Sequence, residues 1–430
     1  MNALGRPMAT TVVPVRDFGN SGPQSTDRLC SVARQPILDL RGRVHAYELV
    51  FREASGQDED AALSSWRETA ARFCLEKPSE LKKLTGKLTA FVRCPLNALN
   101  DQLERVLPAS LTVLEIGSDV EMSPEQLDTC RELKSLGYRF ALDDFQPKPG
   151  APLLPEFADY IKVDFARTAL ESRRELLKEV HGRPVQMVAM GVNTHAQFEE
   201  ARREGFTLLE GYYFCEPVPR RNRRPPVNQM LRLDILKALQ QHPMDLRKVS
   251  QMVKRDGPIT YQLLRLVNSP AWGIRQNVES IEVALVAVGE NAFRRIATLA
   301  IASEFNGDQP AELLCLAMTR ARICETMAAK HGLDPFAQYL LGLLSLLPAM
   351  QGQPMSEVAR TLPLADEIVE ALLGKKNSER ATLGWLECYE RGDWAGCDAA
   401  TQADGLDQRE LSSVYVEALA WTESALHVGA

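Results

Sequence analysis

From about residue 30 to 219 the chain alternates β-branched runs with helix-start signals, and from about 228 onward it reads as helix after helix. That change of period divides what the chain can fold into. Leu111–Gly117 is one such run, and in Ser123-Pro-Glu-Gln126, which follows it, Ser123 can cap, Pro124 suits the first helical position and Gln126 can reach back. A helix is therefore expected up to Gly137. Tyr138–Asp143, Tyr160–Asp164 and Pro184–Met190 read as further strands. Thr194-His-Ala-Gln197 repeats the capping pattern, opening a helix to Gly205 before Phe206–Leu209 extends again. Strand, helix, strand order with buried strands predicts a parallel sheet under helices, and polar residues gathered at strand C-terminal ends predict its closure into a barrel.

In the second half, Ile259, Leu263, Leu266 and Val267 share one helical face, and Asn268–Gly273 stops that helix with Pro and Gly. Amphipathic stretches follow at about 280–288, 290–305, 311–331 and 336–347, which predicts an all-α domain. Trp272 is expected to anchor the core, and His331 to sit at a helix C-terminus, favoured by the dipole. At 430 residues the chain is long enough for two cores. The division predicted is a disordered tail at 1–28, the barrel domain at 29–219, a basic Pro-rich linker at 220–227 and the helical domain at 228–430.

A net charge of −7 argues against nucleic acid as a partner. The basic cluster Arg220–Arg224, followed by Pro225 and Pro226, reads as a solvated linker. Nine scattered cysteines without a Cys-x-x-Cys pair read as reduced thiols, hence a cytoplasmic protein. The longest apolar run, Tyr339–Leu347, falls well short of the ~20 residues that span a bilayer, so no membrane is expected.

Acids stand at the strand ends: Glu115 on the first run, Asp143 and Asp144 on the next. Adjacent carboxylates are costly unless a cation compensates, which marks a site. A later strand of the same shape ends in Met190.

In this order and spacing the motifs resemble a known bacterial signalling family. Gln35-Pro-Ile37, Tyr47–Arg52, Leu114-Glu-Ile116, Leu142–Phe145, Ile161–Asp164 and Gly211–Phe214 resemble an EAL domain, the cyclic di-GMP phosphodiesterase barrel. Leu264–Gly273 and Ser280–Leu285 resemble an HDOD domain, a helical relative of the HD phosphohydrolases. Gly342–Leu347 and Tyr389–Trp394 are similar to the subgroup that fuses both. The resemblance covers nearly everything from about residue 30 to the end. It implies a TIM-like barrel of EAL type followed by an α-helical bundle.

It also implies roles. Glu48, Glu115, Asp143 and Asp144 occupy metal-ligand positions, Lys162 the lysine position, and Gln35 and Arg52 ligand-binding positions, with Arg52 holding a phosphate. Several positions depart. Arg93 stands where active members place a metal-binding Asn, Met190 replaces the general base, and Asn193 and Glu210 replace a Glu and a Gln. A thioether neither takes a proton nor holds magnesium. Gln146–Gly150 replaces a glycine-rich segment, and Ser345-Leu346 stands where HD hydrolases place metal-binding His and Asp. Arg93 is expected either to pair with the acids as a substitute cation or to snorkel from its strand. The resulting expectation is a non-catalytic regulatory module without cofactor, with Mg or Mn only if turnover survives, that engages signalling proteins through the helical domain. A homodimer is compatible with it. The alternatives are a cyclic di-GMP sensor without turnover and a residual phosphodiesterase.

Overall fold

A computed structural model describes residues 31–52, 77–96, 107–117, 122–145, 156–218, 228–274 and 276–426, with Ala70, Leu75 and Leu99 besides. The tail at 1–28, the basic cluster at 220–224 and the loop at 146–150 lie outside the described residues.

Eight strands close a barrel in chain order: β1 (Val32–Asp39), β2 (Val44–Phe51), β3 (Thr89–Arg93), β4 (Thr112–Gly117), β5 (Arg139–Asp143), β6 (Tyr160–Asp164), β7 (Gln186–Met190) and β8 (Leu208–Glu210). Neighbours from β2 to β8 run parallel, but β1 is antiparallel to both β2 and β8, so the expected all-parallel sheet is a mixed one. The reason is local. Asp39 Oδ1 accepts the backbone N–H groups of Arg41 and Arg43 at 2.9 Å, and Gly42 takes φ 74°, so the chain turns back at once. A connection that short permits only a hairpin.

Both capping boxes form, Ser123 with Gln126 and Thr194 with Gln197, opening the helices Pro124–Ser135 and His195–Glu204. The rest of the described chain is helical. Asp245, Asp256, Asp334 and Asp393 each accept a backbone N–H at a helix start. Ile281–Asn306 is interrupted at Gly289 (φ 77°, ψ 170°), where the amphipathic reading divides it. Trp272 is half-buried, edge-on to Trp421 with centroids 5.8 Å apart, and His331 ends the turn Ala329–His331 after the helix Ala311–Ala328. Ser345 receives Nη1 of Arg320 at 3.1 Å.

The helical half covers β1. Tyr389 Oη both accepts from Val32 N–H (3.2 Å) and donates to Val32 O (3.0 Å), and Tyr415 Oη accepts Arg34 N–H at 3.4 Å. Beside them Tyr47 Oη donates to Glu312 Oε2 at 2.7 Å, and Arg34, stacked 4.2 Å from the Tyr47 ring, lies 3.6 Å from Glu312. All of these side chains are buried.

Candidate functional site

Alternation along the strands sorts the barrel interior into two layers. Ile37, Ala46, Phe91, Val113, Ala141, Tyr160, Val188 and Leu208 form an apolar floor. Residues two positions away on the same strands face the same way, toward the mouth. They are Gln35, Glu48, Arg93, Glu115, Asp143, Lys162, Met190 and Glu210. Most of the residues expected at the site therefore share one ring.

Lys162 is at its centre and wholly buried. Its Nζ lies 2.6 Å from Glu48 Oε2, 2.6 Å from Glu115 Oε1, 3.0 Å from Glu210 Oε2 and 3.9 Å from Asp143 Oδ1. Burial alone would lower its pKa, but attraction to Glu115, Glu210, Glu48 and Asp143 holds it well above the ordinary lysine range. One ammonium does not balance four acids. Burial, reinforced by repulsion from Glu48, pushes both Glu115 and Glu210 well above the carboxylate range, and burial also raises Asp143. Glu48 moves down, because Lys162 and a hydrogen bond from Glu210 outweigh its burial. The ring thus holds neighbouring carboxyls pushed in opposite directions, the condition in which one keeps a proton and another gives it up.

Arg93 and Met190 belong to this ring, whereas Asp144 and Arg52 lie outside it. Arg93 is 61% exposed, with Nη1 3.9 Å from Asp143 Oδ2, so the cation inside the acid ring is Lys162. Asp144 adopts φ 46°, a strained conformation for a residue with a side chain, and its Oδ2 is 3.5 Å from Arg167 Nη1. Arg52 Nη2 donates at 2.7 Å to Asp398 of the helical half. Met190 is half-buried, and its carbonyl accepts Phe165 N–H.

Above the ring, a pocket of about 520 Å³ is lined by Gln35, Asn193, Glu210, Tyr212, Glu216 and Arg391, among others. Asn193 Oδ1 accepts Tyr212 N–H at 3.2 Å. Arg391 was not anticipated as a site residue. Its only sequence signal was the Tyr389–Trp394 motif, which marks the fusion of the two halves without saying that it reaches the barrel.

By chemistry the ring suits a hard divalent cation: the donors are carboxylate oxygens, the acids outnumber the one enclosed cation, and Glu115 Oε2 is buried without a hydrogen-bond partner among the described residues. Among the described residues no three of these donors already converge as a metal cage.

Comparison with known proteins finds two domain families in the chain. Residues 95–217 match the EAL domain and residues 225–349 the HDOD domain. The uncharacterised protein YuxH of Bacillus subtilis is 30% identical, over 92% of this chain and 98% of its own. Cyclic di-GMP phosphodiesterase CdgJ of Vibrio cholerae is 28% identical, over 91% of this chain and 92% of its own. A c-di-GMP-bound standalone EAL protein from Vibrio cholerae O395 is 23% identical over 44% of this chain and 92% of its own, with a TM-score of 0.37. The match to CdgJ overturns the expectation of a non-catalytic module that is no enzyme, because a protein named for this hydrolysis aligns along nearly the whole chain. That expectation rests on the departures at Arg93, Met190, Asn193, Glu210, Gln146–Gly150 and Ser345-Leu346. Lineage and architecture agree: the chain belongs to the family of proteins that join an EAL domain to an HDOD domain.

Proposed function

We propose that the protein hydrolyses cyclic di-GMP at the mouth of its barrel. The observation that carries this reading is the acid ring around Lys162, which opens through Glu210 into a pocket of ligand size. Its support from lineage is the long match to a protein named cyclic di-GMP phosphodiesterase.

Hydrolysis breaks one P–O3′ bond as a water oxygen attacks the phosphorus, giving a linear dinucleotide with a 5′-phosphate. Two proton movements are needed. Glu48, held ionised by Lys162, takes the proton of the attacking water, and Glu210, whose raised pKa keeps its proton, supplies the departing 3′-oxygen. Met190 cannot serve as the acceptor, and in this reading Glu48, whose pKa alone in the ring is lowered, takes that task. Gln35, beside Glu48 in the β1–β2 register, orients the ligand. Glu115, Asp143 and Asp144 would hold a divalent ion such as Mg²⁺ or Mn²⁺, which when bound supplies charge neutralisation on the phosphodiester. The HDOD half is the regulatory part in this reading, and the free thiols of the described cysteines accord with a reducing cytoplasm.

The test is chromatographic detection of linear product from full-length protein with cyclic di-GMP and Mg²⁺ or Mn²⁺. Product that disappears in Glu48→Gln and falls steeply in Glu210→Gln supports the reading. Binding without product in either metal would remove the catalytic part of it.

A further inference from the structure

The pocket above the acid ring has an electrostatic problem. A cyclic dinucleotide brings two phosphodiester charges, and the lining residues include the carboxyl of Glu216 beside the proton donor Glu210. Arg391 is the one cation among the described lining residues, and it comes from the helical half of the chain. Arg52, the arginine expected to hold a phosphate, is engaged by Asp398 and is not among those lining residues.

The segment that carries Arg391 is fixed from several sides. Glu390, the last residue of the helix Ala381–Glu390, offers its carbonyl to Tyr212 Oη and to Gln35 Nε2, both from the barrel. Its carboxylate is held by Arg320 through Nη2 at 2.6 Å and Nε at 3.0 Å. Gly392 turns the chain with φ 67° so close to β2 that a Cβ there would lie 3.0 Å from Val50 Cγ1. Arg391 itself is exposed, and its charge is felt by the buried carboxyl of the preceding Glu390. A turn held from both halves thus presents an exposed guanidinium to a pocket whose other acidic or basic lining residues are Glu210, the proton donor of the reading above, and Glu216.

We propose that Arg391 is a phosphate-binding residue of the barrel's site, so that the ligand pocket is composite and closed by the HDOD half of the same chain. The inference rests on the cyclic di-GMP reading and names a recognition element that the barrel alone lacks. Guanidinium donors suit a phosphodiester, which accepts two parallel hydrogen bonds. Their contribution is to binding, and it is screened by salt.

Calorimetric titration of full-length wild type, Arg391→Ala, Arg391→Lys and Arg391→Glu with cyclic di-GMP tests it, with thermal melting as the control for folding. Loss of a hydrogen bond to a charged group predicts about a 10- to 100-fold rise in Kd for Arg391→Ala. Arg391→Lys recovers part of the loss and Arg391→Glu deepens it, while melting temperatures match wild type because the side chain is exposed. Wild-type affinity in Arg391→Ala overturns this proposal and leaves the hydrolase reading standing. A wild type that does not bind cyclic di-GMP at high concentration overturns both.

Discussion

Arg52 Nη2 donates to Asp398 Oδ2 at 2.7 Å, tying the mouth end of β2 to the helix Trp394–Asp404. Asp398 is 42% exposed, so the bond itself adds little stability. It does compete with any phosphate that approaches Arg52. Asp398→Ala should leave the melting temperature nearly unchanged and tighten cyclic di-GMP by up to about 5-fold, the range of an exposed ion pair. Calorimetry on the two proteins decides it, and weaker binding in the variant would count against competition.

Lys162 has the opposite balance, being wholly buried against four acids. Lys162→Met strands carboxylates in a low-dielectric interior, and we expect a loss of about 3–5 kcal/mol in urea unfolding at neutral pH. Adding Glu115→Gln should return part of it, because a neutral amide then stands where a carboxyl had lost its ammonium partner. Additive losses in the double variant would disprove the coupling.

The acid ring also sets a pH dependence. Glu115, Glu210 and Asp143 have folded pKa values above their ordinary ones, so the folded state binds more protons than the unfolded chain. Their contribution is complete below the ordinary carboxylate range and is lost as pH rises through the raised values. Glu48 acts in reverse, losing its contribution as pH falls through its lowered value. Lys162 keeps its contribution until pH exceeds the ordinary lysine value of 10.5. Stability measured by thermal melting should therefore decline as pH rises above the ordinary carboxylate range. Glu115→Gln should flatten that decline, and an unchanged slope would show that Glu115 is not the group responsible.

Gly342 sits where the helix Pro335–Leu344 crosses Ala311–Ala328, and a Cβ there would lie 2.6 Å from the Ala321 backbone. Alanine gains helix propensity of about 1 kcal/mol over glycine. Overpacking against backbone costs about 1–3 kcal/mol, so the net sign for Gly342→Ala should be destabilising. Differential scanning calorimetry reads it directly.

The strands of the barrel and the helix starts were legible because their signals are local: short apolar, β-branched runs for β4 to β7, and Ser123 and Thr194 with their return glutamines for the caps. The reversal of β1 depends on one short turn at Asp39 and Gly42, which the parallel pattern of the downstream strands does not reveal. At the site, the residue types at the strand ends pointed to one place. What they could not give was the arrangement. Lys162 draws its acids from β2, β4, β5 and β8, and no local rule says which of them a buried ammonium will meet. Arg391 lies 181 positions after Glu210 in the chain, and only the packing of two folds brings both to one pocket.

Tyr389 and Tyr415 hydrogen-bond the backbone of β1 at Val32 and Arg34, while Glu312 faces the guanidinium of Arg34. Excision of the barrel at the junction would expose that strand's outer face and strand Arg34 without its acid. The fragment should be sticky and poorly soluble rather than a minimal hydrolase. Heating the intact chain should melt both halves together in one transition.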